Sequence, residues 1–375
     1  MTASTEIRPL TGLRGIAALY VMIFHYFGGT PLSNPATTFL SHGYLAVDLF
    51  FVLSGFVMAL NYAEMFVSCR PVAAYRKFLG RRIARVYPLY FAGTVAGFFL
   101  VTDSMFPVPK HTLGNLALNL SMAQGWGFTN SFDLPAWSVS TEWAAYLLFP
   151  LLIVPTLFRK PLSALLSAVV SVGCLAVICL PPVVHSYHLP QGDLLNYYEG
   201  VVALFRCLPE FVLGLLAYRL AATRFGSYLA ASPRPALSIC TATLLLLTIP
   251  RADLIIVLCF PLLVVTLASG QHLAARLLAS SLAEWAGKLS YSIYMTHFLS
   301  ADLLNFVHAK AHSFGIVHAQ TCAAAVGIAI TVPAAWLSYT YIEVPGRRWL
   351  RNVLEGESPK RVRNERTAII AQPEG

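Results

Sequence analysis

Two ionisable side chains in the first apolar segment, Arg14 and His25, are of types that bind anions and accept protons. They are eleven residues apart in the sequence. In an α-helix this spacing puts both side chains on one face, about 16 Å apart along the axis. Ionisable groups within a membrane-spanning segment are costly and usually face a protein interior or a water-filled path. We therefore favour a route through the protein over the alternative, in which both side chains snorkel to opposite membrane interfaces.

Two carboxylates are expected at about the depth of His25. Asp48 lies near the start of the apolar segment HGYLAVDLFFVLSGF, and Glu142 follows LPAWSVST. A carboxylate beside an imidazole fixes its tautomer, which allows the imidazole to remove a proton from a hydroxyl group. His25, Glu142 and Asp48 are therefore the candidate catalytic residues. Each carboxylate also suits the first turn of a helix, where the macrodipole favours negative charge, and this alternative stays open.

A cluster of arginines in RKFLGRRIARVYP precedes the third apolar run. Arg82 and Arg85 are three residues apart and so are neighbours on one helical face, and guanidinium forks suit phosphate oxygens. We interpret Arg82 and Arg85 as the candidate site for a cytoplasmic, phosphate-bearing ligand. The tendency of basic residues to flank the cytoplasmic ends of spans also accounts for this cluster.

Other polar residues within the apolar runs are candidates for substrate binding. Tyr294 and His297 share a helical face with Ser290 in AGKLSYSIYMTHFLS, which is typical of a lined cavity. Arg206 lies one turn from Glu210, and the two could instead neutralise each other. His297 could likewise be an interhelical contact. The candidate substrate-binding residues are Trp137, Ser140, Arg206, Tyr294 and His297.

The chain of 375 residues is 57% hydrophobic and 11% charged. One soluble core cannot bury this much apolar surface, which predicts an all-α, polytopic membrane protein. Runs long enough to cross a hydrocarbon core of about 30 Å predict about ten transmembrane helices. They lie near residues 10–28, 44–62, 86–101, 142–158, 163–180, 201–218, 236–250, 254–270, 287–307 and 319–342.

Most of the 26 lysines and arginines fall on one side if the N-terminus is cytoplasmic. The positive-inside rule then predicts that both termini are cytoplasmic, and it explains the net charge of +9 without a nucleic-acid partner. We expect residues 1–349 to form one integral membrane domain, with a first span that is not cleaved. Residues 350–375, which are polar and aperiodic, are expected to be a disordered cytoplasmic tail. The seven cysteines show no metal-binding spacing, so no metal is expected.

These motifs, in this order, resemble the acyltransferase 3 family of membrane-bound O-acyltransferases, which modify bacterial surface and secreted glycans. The resemblance covers residues 9 to about 349, and Val139 replaces the leucine of one family motif. It is closest to the standalone form without a fused SGNH domain. The motifs are LRGIAALYVMIFH, GYLAVDLFFVLSGF, RRIARVYP, AWSVSTEW, RCLPEFVLG, GKLSYSIYMTH and YIEVPGR.

The resemblance implies transfer of an acyl group, most often acetyl, from cytoplasmic acyl-CoA such as acetyl-CoA. The acceptor would be a sugar hydroxyl of a polysaccharide or lipid-linked oligosaccharide on the outer side of the bacterial inner membrane. His25 would be the base and Arg14, Arg82 and Arg85 would support the CoA end. Glu142 and Asp48 would support the acceptor-side chemistry.

The identities of the acyl group and of the acceptor hydroxyl stay open. Direct transfer and transfer through a covalent acyl-enzyme are both compatible with the sequence. A rival class is a proton-coupled transporter or flippase of envelope-glycan precursors. In that class His25, Asp48, Glu142 and His297 would form a proton relay.

Overall fold

The structure is a computed structural model that describes residues 6–27, 34–101, 109–190, 192–198, 200–268 and 272–355. These residues form helices and no strands, which confirms the all-α prediction for this part of the chain. The α-helices are α1 (Arg8–Phe27), α2 (Pro35–Ser41), α3 (Leu45–Ser68), α4 (Pro71–Leu100), α5 (Leu113–Leu120), α6 (Ala136–Ile153), α7 (Pro161–Ile178), α8 (Pro181–Ser186), α9 (Val202–Ala221), α10 (Arg224–Ala231), α11 (Pro233–Leu246), α12 (Asp253–Leu267), α13 (Leu273–Leu278), α14 (Ser281–Thr296), α15 (Ala301–Ser313), α16 (Ala319–Ser338) and α17 (Val344–Glu355).

Several helices are suited to crossing a membrane, as expected of a multi-pass membrane protein. In the described residues, six helical segments are long and apolar enough to span alone, and α10 with α11 makes a seventh if that bent pair is one span. Each of the ten predicted spans overlaps a helix. However, α12 and α14 have only 15 and 16 residues, and α9 contains Arg206, Glu210 and Arg219. The count of ten and the cytoplasmic termini therefore stay predictions.

The last described helix changes one predicted boundary. Residues 350–355 were assigned to a disordered tail, but α17 continues through them to Glu355. The carboxylate of Glu355 accepts hydrogen bonds from Arg81 of α4 at 2.7 Å and from Arg351 at 3.1 Å. These contacts hold the end of α17 against α4. The rest of the predicted tail, 356–375, lies outside the described residues.

Helices α1 and α14 approach each other until their backbones touch. A Cβ atom added to Gly15 would lie 2.5 Å from the backbone nitrogen of Gly287, and one added to Gly287 would lie 2.0 Å from the carbonyl oxygen of Thr11. Only glycine fits at such distances, and small residues allow close helix packing in membranes. The close approach fixes the register of α14 against α1.

The two helices run in the same direction. Near their starts Arg8 of α1 contacts Glu284 at 2.7 Å, and at the end of α1 the Tyr26 hydroxyl donates a hydrogen bond to the His297 carbonyl at 3.0 Å. Residues that lie far apart on α1 therefore meet residues in the same order along α14. This parallel register positions the site described below.

A second glycine contact joins α3 to α9. A Cβ atom on Gly55 would lie 2.0 Å from the carbonyl oxygen of Phe211, and one on Gly214 would lie 2.0 Å from that of Val52. These helices also pack in parallel, so their first turns lie side by side. The contact brings the start of α3 against the start of α9 in the interior of the bundle.

A buried polar cluster joins the residues that precede α3 to the start of α12. Asp253 of α12 accepts hydrogen bonds from the Tyr44 hydroxyl at 2.6 Å and from the Leu195 backbone N–H at 3.0 Å. His42 lies 3.4 Å from the same carboxylate and contacts the Leu247 carbonyl at 2.8 Å through Nδ1. The cluster attaches the loop of residues 192–198 to the bundle.

Asp193 of this loop is buried, and its carboxylate accepts a hydrogen bond from the Asn196 side chain at 3.0 Å. Burial raises the pKa of Asp193 to about 7, and the neighbouring Asp253 raises it further, against the opposing effects of Asn196 and His42. The folded protein therefore keeps a proton on Asp193 between about pH 4 and pH 7, whereas the unfolded chain releases it.

We predict that replacing Gly287 by alanine separates α1 from α14, because the added methyl group would overlap the Thr11 carbonyl. The expected loss of unfolding free energy is about 1–3 kcal/mol, measured by denaturation of the purified protein in detergent. Gly173→Ala on α7 is the matched control, since a Cβ atom there meets nothing within 4 Å. A Gly287→Ala protein as stable as this control would contradict the proposed backbone contact.

Asp193→Asn should alter how stability depends on pH. The raised pKa makes the wild-type contribution of Asp193 fully present below about pH 4 and lost as the pH rises to about 7. Wild type and variant should thus unfold alike at about pH 3.5, and the variant should be the more stable at about pH 8 by up to about 4 kcal/mol. Parallel pH dependences of the two unfolding midpoints would show that Asp193 is ionised in the folded protein.

Candidate functional site

A cavity opens between α1, α3, α4, α6 and α14, with about 860 Å³ of space including its mouth. Much of its wall is apolar and comes from α3, including Phe50 and Phe51. The polar side chains of the wall come from all five helices. They are Arg14, Ser54, Arg82, Arg85, Ser138, Glu142, Tyr146, Ser290, Tyr291 and Tyr294. The structure thus brings predicted donor-site arginines, a predicted catalytic carboxylate and a predicted substrate-binding tyrosine into one cavity.

Three guanidinium groups line one part of the cavity, which we call the arginine end. Arg14 donates a hydrogen bond to the Ser290 hydroxyl at 3.2 Å. Arg82 lies over the ring of Tyr62 at 5.4 Å, and its buried Nε has no hydrogen-bond partner among the described residues. Arg85 lies over the ring of Tyr291 at 5.6 Å. The aromatic contacts orient the arginines and leave donors available for an anion.

Glu343 supports the arginine end from behind. This fully buried carboxylate accepts hydrogen bonds from Arg85 and, at 2.8 Å, from the hydroxyl of Ser292 on α14. The sequence analysis did not assign a site role to Glu343. Its position in an apolar run was a usable signal, because a carboxylate in such a run requires a cationic partner.

Glu142 belongs to a polar stripe on α6. Ser138, Glu142 and Tyr146 follow each other at four-residue spacing, so all three side chains face the cavity. The Tyr146 hydroxyl donates a hydrogen bond to Glu142 at 2.6 Å. The four-residue spacing was visible in the sequence, but only Glu142 was singled out. Together with Glu343, this carboxylate leaves the three arginines with an excess positive charge of one, which favours an anionic ligand.

The histidine pair lies at the other end of α1, which we call the histidine end. His25 is half-buried and His297 is fully buried. The Nδ1 atom of His25 lies 3.0 Å from the Nε2 atom of His297 and 3.0 Å from the Val21 carbonyl oxygen. The Nδ1 atom of His297 lies 2.7 Å from the Tyr294 carbonyl oxygen. Two residues that the sequence predicted for different roles are therefore in direct contact.

These contacts assign the tautomers of the neutral pair. A carbonyl oxygen only accepts, so Nδ1 of His297 carries a proton and its Nε2 does not. That bare Nε2 then accepts from Nδ1–H of His25, which is shared with the Val21 carbonyl. The Nε2 atom of His25 is consequently unprotonated and has a free lone pair. In this arrangement Nε2 of His25 can accept a proton, and the ring of His25 is held by its contacts with His297 and the Val21 carbonyl.

The expected carboxylate partner of His25 is absent from the contacts of the described residues. Asp48 instead contacts Arg206 through both carboxylate oxygens, at 2.8 Å and 2.5 Å. Arg206 also donates hydrogen bonds to the carbonyl oxygens of Tyr197 and Tyr44. Asp48 therefore belongs to a buried ion pair between α3 and α9, and a neutral imidazole takes the orienting place predicted for it.

Three other residues of the predicted substrate-binding set have internal partners. Arg206 pairs with Asp48 and lies over the ring of Trp137 at 5.3 Å. The Ser140 hydroxyl donates to the Met122 carbonyl at 2.7 Å and accepts from the Gly125 N–H at 3.0 Å. These contacts hold the loop before α6 and the interior of the bundle. Trp137, Ser140 and Arg206 thus lie outside the cavity wall described above.

The order of these elements agrees with one known family. The family model for acyltransferase 3, described as an acyltransferase domain, matches residues 8–340. The chain belongs to the acyltransferase 3 family. The match spans the arginine end, the cavity and the histidine pair, so the family resemblance drawn from the sequence is confirmed.

Three individual relatives match the chain over different lengths. The acyltransferase MdmB of Streptomyces mycarofaciens is 28% identical over 389 residues, covering 92% of each chain. The putative peptidoglycan O-acetyltransferase YrhL of Bacillus subtilis (strain 168) is 26% identical over 330 residues, covering 78% of this chain and 48% of its own length. Protein 2 in the picA locus of Rhizobium radiobacter is 43% identical over 84 residues, covering 22% of this chain and 38% of its own. Among solved structures none gives a significant match.

Asp48 and Glu142 should behave differently when their charge is removed. Asp48→Asn removes the carboxylate charge that Arg206 contacts through both oxygens, and we expect a loss of about 3–5 kcal/mol of unfolding free energy. Glu142→Gln, at the wall of the cavity, should cost no more than about 1 kcal/mol. Denaturant titrations of the purified proteins in detergent measure both. The control is Glu64→Gln, an exposed carboxyl on α3. Equal stability of Asp48→Asn and this control would contradict the structural role of Asp48.

Proposed function

We propose that this protein transfers an acyl group, with acetyl as the favoured candidate, from acyl-CoA to a hydroxyl of a surface or secreted glycan. Membership of the acyltransferase 3 family supports acyl transfer in general. One observation carries the finer proposal. His25, whose imidazole can act as a base, lies on the same face of α1 as Arg14 of the arginine-lined cavity, about 16 Å further along the helix. The acceptor sugar is proposed from the family resemblance and from the name of the relative YrhL.

The donor would bind at the arginine end. Phosphate groups of CoA suit Arg82 and Arg85, whose donors are oriented by aromatic rings and, for Arg85, by Glu343. The flexible pantetheine arm would then extend past Arg14 toward His25, over about 16 Å along α1. Its amide N–H groups could donate to Glu142, which faces the same cavity.

The chemical step would use the free lone pair of His25. His25 Nε2 takes the proton of the acceptor hydroxyl as its oxygen attacks the thioester carbon, so a C–O bond forms. The C–S bond then breaks, and the CoA thiolate takes the proton from the imidazolium. While charged, His25 keeps its Nδ1–H on His297 and on the Val21 carbonyl, which stabilises the imidazolium less than a carboxylate would.

The charge distribution in the sequence supports a direction for this transfer. Basic residues cluster in the segments that flank the arginine end, and the positive-inside rule favours a cytoplasmic position for that end, where acyl-CoA is made. The histidine end would then face the outer side of the bacterial inner membrane. Glycans presented there, including lipid-linked oligosaccharides, are the acceptors that we propose.

His25→Ala should abolish acylation, because the variant lacks the lone pair of His25 Nε2 and His297 has no equivalent one. The measurement is mass spectrometry of base-labile acyl esters on envelope glycans from cells that produce wild type or variant, together with thiol release from acetyl-CoA by the purified proteins. We expect at least a 10²-fold fall in rate for His25→Ala. Undiminished esters with the protein folded in the membrane would end the proposal.

His297→Gln tests positioning. The glutamine amide oxygen can still accept from His25, so we expect a loss of roughly 10-fold that is larger for His297→Leu, with little change in the KM for acetyl-CoA. The control is His272→Gln, because His272 is also buried but lies in the segment before α13, where it contacts the Thr266 carbonyl. Equal rates for His297→Leu and wild type would show that His25 needs no partner.

A further inference from the structure

We propose that the hydroxyl of Tyr294, together with that of Ser138, stabilises the oxyanion that forms when the acceptor attacks the thioester. The inference rests on the proposed acyl transfer and adds a catalytic group that His25 and His297 do not provide. Acyl transfer places negative charge on the former carbonyl oxygen, and donors aimed at that position usually give the largest catalytic effect.

Transmembrane helices offer few donors for such a charge. Their backbone N–H groups are used within the helix, so the donors must be side chains or helix ends. Arg14 lines the cavity but lies about 16 Å from His25 along α1. Tyr294, in contrast, lies one turn before His297 on α14, and its side chain lines the cavity. It is thus a cavity hydroxyl on the residue one turn from His297, whose ring contacts the proton acceptor His25.

The hydrogen bonds around Ser138 show which way these hydroxyl groups point. The Ser138 hydroxyl donates to the Pro135 carbonyl at 3.0 Å, since a carbonyl only accepts. Its oxygen lies 2.7 Å from the Tyr294 hydroxyl. With the serine proton already used, Tyr294 is the donor in this contact. The Tyr294 proton therefore points along the wall that both residues share, and it can turn to an oxyanion that replaces Ser138 as acceptor.

Ser138 can add a second donor at small cost. The Pro135 carbonyl also accepts the backbone N–H of Ser138 at 3.3 Å. If the serine hydroxyl turns away, this carbonyl keeps a hydrogen bond. The two hydroxyl groups can then face the same oxyanion, as two donors do in known oxyanion holes.

Tyr294 also connects this wall to the proton acceptor. Its backbone carbonyl accepts the Nδ1–H of His297, which fixes the tautomer that leaves the lone pair of His25 free. Its ring lies 5.9 Å from the His297 ring and 5.8 Å from that of Phe50 on the cavity wall. Tyr294 and His297, which follows it after one turn, would thus position both the oxyanion donor and the base.

The oxyanion forms and collapses within the proposed reaction. As the acceptor oxygen bonds to the thioester carbon, the carbonyl electron pair moves to oxygen, and this oxyanion accepts the hydrogen bonds of Tyr294 and Ser138. The pair returns when the C–S bond breaks, and the hydroxyl protons stay on tyrosine and serine throughout. Neither residue gains or loses a proton, so each acts only on the charged intermediate.

The test is steady-state kinetics of Tyr294→Phe and Ser138→Ala with acetyl-CoA, beside equilibrium binding of CoA. We expect kcat to fall about 10²–10³-fold for Tyr294→Phe and less for Ser138→Ala, while the KM for acetyl-CoA and the CoA affinity change by less than about threefold. Tyr90→Phe is the control, because it removes a buried hydroxyl that donates to the Asn119 carbonyl at 2.6 Å, away from the cavity wall.

Two results with Tyr294→Phe would overturn the inference. The first is a kcat of Tyr294→Phe within threefold of the control while His25→Ala is inactive, which leaves the proposed function standing. The second is a parallel loss of activity, CoA affinity and unfolding temperature, because a purely structural role of Tyr294 predicts that all three fall together. If Tyr294→Phe does not fold, 3-fluorotyrosine at position 294 replaces it. This residue keeps the hydroxyl as a stronger donor, so an unchanged kcat would overturn the inference and a changed kcat with unchanged KM would support it. Lack of thiol release by wild type would instead reject the proposed function itself.

Discussion

The contact between the backbones of α1 and α14 at Gly15 and Gly287 is the constraint on which the site depends. Because the helices are parallel, this one backbone contact fixes two side-chain contacts at once: Arg14 with Ser290, and His25 with His297. A shift of one helix by a turn would move each side chain about 5 Å and break both. The arginine end and the histidine end are therefore positioned by the same packing.

Two groups of charged side chains in the described interior have different physical roles. Asp48 and Arg206 satisfy each other and the backbone around them, so they serve the packing of α3 against α9. The arginines of the cavity are held by aromatic rings, by a serine and, for Arg85, by Glu343, and these contacts leave guanidinium donors unused. Burial without full pairing is costly, and it is therefore better evidence for a ligand than charge alone.

The sequence predicted the helical membrane character, the family and five of the residues that line the cavity, namely Arg14, Arg82, Arg85, Glu142 and Tyr294. Those predictions depend on composition and on spacing within one segment, as with Arg82 and Arg85 on one face of α4. Pairing between segments was less accessible. Asp48 was assigned to His25 because both were expected at one depth, but depth does not say which helices are neighbours. The glycine contacts that decide this, such as Gly55 with Phe211, involve backbone distances that residue type alone does not reveal.

The account holds that one passage accepts a thioester at the arginine end and delivers its acyl group at the histidine end. Its most direct test uses proteoliposomes of uniform orientation, with labelled acetyl-CoA on one side only and soluble peptidoglycan fragments as the probe acceptor on the other. The account predicts labelled ester on the acceptor only when acetyl-CoA is on the side of Arg82 and Arg85 and the fragments are on the side of His25. Labelled ester formed only when donor and acceptor share one side would contradict it.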